Sequence, residues 1–243
     1  MLHALGASGQ SWQDVVARLG SDVTCLTPDL PGFGDNADVE PSGVSATLDW
    51  LFAYLGDRHP TPTIIVGHSM GGKFATLLAA HAARDARPLG DLRGLVLLAA
   101  SPPAPEPMDE ARRAEMIGWF ADGEPSARDA ATFVSANVAG PLAEERRAQA
   151  IADVRRTAPA AWVDWLENGS REDWSDRTGV LDIHATIVAG SEDTDLGEVN
   201  QRRLNLPHFT DASIEVIPKA AHLLPYERPD MVADLIRAAI ERA

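Results

Sequence analysis

The chain has 243 residues, 45% hydrophobic and 23% charged, an ordinary balance for a globular protein with one well-filled core. Asp and Glu total 36 against 21 Lys and Arg; the formal net charge of −15 argues against a nucleic-acid or anionic-membrane surface. Cys25 is the single cysteine, which excludes an intrachain disulfide and a thiolate metal cluster. No apolar run reaches the ~18 residues of a membrane span. No basic, apolar leader opens the chain, so a cytoplasmic location is expected.

Residues 11–19 carry a short helical pattern. The run 23–27, stopped by Pro28-Asp29, reads as a strand with Cys25 as an inert core thiol. Residues 45–58 place Leu48, Leu51, Phe52 and Leu55 at helical spacing. Short apolar runs at 63–66, 95–98, 186–188 and 214–217 read as further strands, buried on both faces of a parallel sheet. An Ala- and Leu-rich helix is expected over 70–83, and Pro229 opens a last one. Strand and helix alternate, which predicts an α/β fold with a doubly wound, mostly parallel sheet.

Residues 102–178 break that rhythm. A Pro-rich stretch, Pro102-Pro103-Ala104-Pro105-Glu106-Pro107, is followed by helical patterns at 109–120, 126–137, 143–156 and 160–167. The simplest organisation is a core of residues 1–102 and 179–243, with a helical lid at 103–178 inserted between two strands. One or two of Trp119, Phe120, Phe133, Trp162, Trp165 and Trp174 are expected to line an apolar pocket, the rest to pack.

The chemistry centres on Gly67-His68-Ser69-Met70-Gly71-Gly72, which lies between a predicted strand and a predicted helix. G-x-S-x-G in that setting forms a sharp turn. Small residues two places to either side of the serine let the backbone close, and Oγ is lifted into the cleft at the carboxyl end of the sheet. The N–H groups at the start of the helix favour negative charge on a reacting oxygen.

On these residues the chain resembles the α/β-hydrolase family over nearly its whole length. His222, in Ala221-His222-Leu223-Leu224-Pro225-Tyr226-Glu227-Arg228-Pro229, is similar to the family's catalytic-histidine segment. Ile187-Val188-Ala189-Gly190-Ser191-Glu192-Asp193 resembles its strand-Gly-x-x-Asp segment. The resemblance implies a triad of Ser69, Asp193 and His222, with Asp195 and Glu192 as rivals for the acid. Leu2-His3-Ala4-Leu5-Gly6 resembles the His-Gly oxyanion loop, with Ala4 where Gly is usual, and implies the backbone N–H groups of Leu5 and Met70 as the oxyanion hole. Asp29-Leu30-Pro31-Gly32-Phe33-Gly34-Asp35 is similar to a family loop that shapes the cleft.

Family members have strands ahead of the His-Gly loop, whereas only Met1 and Leu2 precede His3. The chain is therefore expected to lack its natural start. An additional strand, from an upstream segment or a partner chain, is expected beside the 23–27 run.

The activity implied is hydrolysis of an ester or related acyl bond in a small, fairly apolar substrate, through an acyl-enzyme. A carbon–carbon bond hydrolase, lactonase, perhydrolase or acyltransferase would use the same triad. A non-catalytic ligand-binding protein on the same scaffold is the alternative of another class. The serine argues against the family's Asp-nucleophile dehalogenases and epoxide hydrolases. The seven His form no recognisable metal-ligand motif, so neither metal nor organic cofactor is expected.

Overall fold

A computed structural model describes residues 1–40, 43–56, 62–84 and 89–243. Four parallel strands, β1 (Thr63–His68), β2 (Leu92–Leu98), β3 (Leu181–Gly190) and β4 (Phe209–Ile217), form one sheet in that spatial order. Successive side chains point to opposite faces, and both faces are apolar. Val66, Val96, Leu98 and Val188 pack on one face with Trp12, Val15, Val232 and Ile236. Ile65, Leu95, Leu97 and Ile187 pack on the other, with Leu48, Leu51, Phe74 and Leu78.

The helices follow in chain order: α1 (Gln13–Leu19), α2 (Gly43–Gly56), α3 (Met70–Arg84), α4 (Glu110–Gly118), α5 (Ala127–Ala136), α6 (Glu144–Arg155), α7 (Pro159–Asp164), α8 (Ser175–Thr178), α9 (Glu198–Leu204), α10 (Leu224–Glu227) and α11 (Pro229–Arg242). The core contacts above put α1 and α11 on one face of the sheet and α2 and α3 on the other. Residues 57 and 58, at the end of the helix predicted over 45–58, lie outside the described residues.

Between β2 and β3 no strand occurs among the described residues; the chain runs through α4 to α8, with a π-helical turn at Trp165–Gly169. Local signals set these boundaries. The side chain of Asp109 accepts from the N–H of Arg112 to open α4, and that of Ser126 accepts from Asp129 to open α5. Trp162, fully buried, stacks on Phe120 at 4.6 Å and meets Phe133 edge-on at 5.1 Å.

The strand expected at 23–27 is not formed. A strand exists only through a ladder partner. Among the described residues, the neighbouring lane on the other side of β1 holds only the start of the chain: the Leu2 N–H donates to Val66 O and its C=O accepts from the His68 N–H, while the Met1 ammonium donates to Leu26 O. Beyond Leu2 an apolar trough opens between residues 22–28 and β1, lined also by Leu78, Ile236 and Ile240. Cys25 lines it half-buried, so it is not a core thiol.

Candidate active site

β1 delivers the chain into the turn, and α3 takes it away. Ser69 has a φ of 51°, in the left-handed region that an L side chain rarely adopts. Such a residue costs about 1–3 kcal/mol and persists only where its surroundings hold it. Here the Ser69 N–H donates to Leu98 O at 2.9 Å, while its own carbonyl accepts from Gly72 at 2.7 Å and Ser101 at 3.0 Å. The flanking glycines answer to close approach. A Cβ on Gly67 would sit 2.4 Å from the carbonyl oxygen of Gly71, and one on Gly71 would sit 2.3 Å from that of Leu2. Neither backbone atom can give way, so the motif's glycines follow from packing around the turn.

Ser69 lines a cavity together with His222, Asp193, Ala4 and Leu5. Nδ1 of His222 meets Oδ2 of Asp193 at 2.8 Å. The other carboxylate oxygen of Asp193 accepts from the backbone N–H groups of Asp195 (3.0 Å) and Leu196 (2.9 Å). Burial works against charge on Asp193, but the facing imidazole and these two amides outweigh it and hold the carboxyl below its usual range. His222 responds in the opposite sense. Burial disfavours the imidazolium, yet the negative charge of Asp193, with smaller help from Glu106 and Asp195, lifts its pKa above the ordinary imidazole value. Of the rivals, Asp195 is paired with Arg112 of α4, and Glu192 takes the hydroxyl of Ser191 at 3.0 Å. Asp193 alone of the three accepts from the His222 ring.

The loop before Gly6 is held by His3. Its Nε2 accepts from the N–H of Leu30 at 2.9 Å, so Nδ1 carries the proton and donates to the carbonyl of Ala4 at 2.8 Å. Burial keeps this ring neutral, its pKa pulled down to about 4. The N–H groups of Leu5 and Met70 have no acceptor among the described residues, and both residues are buried. Ser8 ties the loop onward to α6 through Asp153 at 2.9 Å. Of the six aromatics between β2 and β3, Phe133 and Trp165 line the cavity.

Several residues of the site carry no sequence signal beyond their type. His68 donates from Nε2 to the carbonyl of His222 at 2.7 Å, and burial with the nearby His222 keeps it neutral, its pKa lowered to about 3. The carbonyl of Asn137 accepts from the N–H groups of His222 (3.1 Å) and Leu223 (3.0 Å). Glu227, within the histidine segment, receives the N–H groups of Ala221 (2.9 Å) and Ala139 (2.8 Å). On α3, fully buried Lys73 donates to the carbonyls of Gly169 (2.9 Å) and Glu172 (2.8 Å). That bond pair fastens the π-helical turn and the residues after it to the helix that follows the serine. Burial draws its ammonium down to about 8 against the charges of Glu106, Glu172 and Asp173.

A strained serine at the strand end, with a carboxylate-paired histidine beside it on a parallel sheet, defines a class of protein. Residues 1–235 match the alpha/beta hydrolase family, and the chain belongs to that family as an enzyme of its hydrolase class. Over 247 residues it is 26% identical to the pimeloyl-(acyl-carrier protein) methyl ester esterase of Neisseria meningitidis serogroup C, covering 99% of this chain and 92% of that one. It is 28% identical over 238 residues to the 2-succinyl-6-hydroxy-2,4-cyclohexadiene-1-carboxylate synthase of an Enterobacter species, covering 96% and 87%. An esterase from Exiguobacterium antarcticum superposes with a TM-score of 0.85 over 99% of this chain and 90% of that one, at 14% identity, and thus shares the fold.

Proposed function

We propose that the chain hydrolyses esters, or closely related acyl bonds, of small and fairly apolar substrates through an acyl-enzyme on Ser69. The observation that carries this reading is the 2.8 Å contact of His222 with Asp193 in the cavity that Ser69 lines. His222 Nε2 takes the proton of the Ser69 hydroxyl as Oγ attacks the substrate carbonyl carbon. Asp193 keeps the proton on Nδ1 and stabilises the imidazolium that forms. The free N–H groups of Leu5 and Met70 receive the oxygen as it becomes anionic. The imidazolium returns the proton to the departing alkoxide, the ester C–O bond breaks, and an alcohol leaves. Water then repeats the attack on the acyl-serine, with His222 again the base, and releases the acid. The name of the Neisseria relative, a methyl ester esterase, points to the same reaction type.

Residues 103–178 act in this reading as a lid. Met108, Met116, Phe133 and Trp165 supply apolar lining, and Lys73 anchors the segment to the core. The test is labelling by an active-site-directed fluorophosphonate, with turnover of p-nitrophenyl esters in parallel. Wild type is expected to label at Ser69 and to turn over esters, and Ser69→Ala to lose both, with turnover falling at least ~1,000-fold while the fold is retained. Ester turnover that survives in Ser69→Ala would overturn the mechanism. Absence of labelling in folded wild type would favour a binding protein on the same scaffold.

A further inference from the structure

The wall of the Ser69 cavity carries four carboxyl side chains, Glu106, Glu192, Asp193 and Asp195, and among its described residues one Lys or Arg, Arg112. Two of the carboxyls are committed elsewhere. Asp193 faces the His222 ring, and Glu106 bonds to the Ser101 hydroxyl, its carboxyl lifted above the usual range by burial. Asp195 and Arg112 are committed to each other. Arg112 belongs to α4 and Asp195 to the loop after β3, and Nη1 of the guanidinium donates to Oδ2 of the carboxylate. Both side chains keep part of their surface open, 32% for Arg112 and 41% for Asp195, and so can meet an entering molecule. Glu192 is exposed on the same wall, where it takes the hydroxyl of Ser191.

This pairing sets the charge that the cavity offers. Without Asp195, Arg112 would present an open guanidinium on the wall, a group well suited to a carboxylate or phosphate through paired N–H donors. With Asp195 in place that charge is cancelled, while Asp193 and Glu192 remain. An anionic group that reaches Arg112 has to displace Asp195, which then stands without its cation two residues from Asp193. Like charges on a partly buried wall repel more strongly than they do in water. The net charge of −15 on the chain works in the same direction during approach. An uncharged substrate meets none of these costs, and Met108, Met116, Phe133 and Trp165 offer it apolar contact.

We infer that Asp195 is a specificity residue: by pairing with Arg112 it turns anionic substrates away, so that the cavity takes uncharged acyl chains in preference to chains ending in a carboxylate or phosphate. This rests on the reading of the cavity as an ester-cleaving site. The backbone N–H of Asp195 supports Asp193, whereas its side chain acts on Arg112. Removing only the side-chain charge therefore frees a cation that the cavity already holds.

The experiment compares kcat/KM for mono-p-nitrophenyl adipate, whose chain ends in a carboxylate, with p-nitrophenyl adipamate, which carries a carboxamide of nearly the same shape there. Wild type, Asp195→Asn and the double variant Asp195→Asn with Arg112→Gln are assayed at low salt, where screening is weak. The amide is expected to exceed the acid by ~10-fold or more in wild type. That ratio should fall by ~10-fold in Asp195→Asn and return to about its wild-type value in the double variant. Asp195 also helps to raise the pKa of His222, an effect that touches both esters alike and cancels in the ratio. An acid that equals or betters the amide in wild type overturns the inference. So does a ratio unchanged in Asp195→Asn, or a gain for the acid that persists without Arg112. Calorimetric titration of both esters into Ser69→Ala repeats the comparison without chemistry. Absence of turnover in wild type would count against the esterase reading, while the binding ratio would still decide the role of Asp195.

Discussion

Two hollows lie at opposite ends of the chemistry of this molecule. The cavity proposed as the active site gathers Ser69, His222, Asp193 and Glu106, delivered by segments from β1 to the loop after β4. The trough beside β1 is lined almost wholly by apolar side chains, with Asp22 and Cys25 as its titratable side chains. What separates the two is convergence: in the cavity, polar groups from distant parts of the chain face one another at bonding distance, and their protonation is biased by that contact. In the trough, the lining is mostly aliphatic side chains such as Leu26, Leu55, Leu78, Ile236 and Ile240.

If that distinction holds, damage to the cavity is felt in turnover and damage to the trough is not. The largest effect should come from Asp193→Asn, which leaves the shape but removes the charge that fixes the His222 tautomer. A fall in kcat of roughly 1,000- to 10,000-fold is expected. Asp195→Asn, which breaks only the pairing with Arg112, should cost within about tenfold. The reverse order in steady-state kinetics would move the acid role to Asp195.

A subtler effect is the pH dependence. His222 must be neutral to take the proton, and its imidazolium is favoured by Asp193 more than burial disfavours it. The acidic limb of kcat/KM should therefore fall through an inflection above the ordinary imidazole value. Asp193→Asn should shift whatever inflection remains downward. A limb at or below the ordinary value in wild type would mean that burial, not Asp193, governs the ring.

The smallest effect belongs to the trough. Alkylating Cys25 with iodoacetamide should leave ester turnover within about twofold, as measured on p-nitrophenyl acetate with the adduct verified by mass. A large loss would show that the trough is coupled to the cavity through Leu2, whose carbonyl accepts from His68.

The sequence was legible where one signal sufficed. β1 and β2 contain the continuous apolar runs 63–66 and 95–98, although Arg93 and Gly94 hid the start of β2, and Ser69 and His222 stand in motifs a few residues long. The first halves of β3 and β4 escaped because Asp182, His184, Asp211 and Ser213 break the apolar pattern, β4 being an edge strand with one side open. The 23–27 run misled for a physical reason. Apolar, β-branched composition says that a segment suits a ladder, not that a partner stands beside it. His68 and Asn137 lay beyond sequence reasoning because their bonds are long-range. The bond from His68 to the His222 carbonyl spans 154 positions, and neither end advertises the other.

The anchor made by Lys73 has a practical corollary. The chain has two lysines, Lys73 and Lys219, of which Lys219 is exposed and Lys73 is fully buried. An acylating reagent should therefore mark Lys219 at once. It reaches Lys73 only when the stretch around Gly169 to Glu172 lifts away from α3. Peptide mapping of a timed acetylation would then read two clocks in one tube: one for the reagent, and one for how often the stretch around Gly169 to Glu172 comes away from α3.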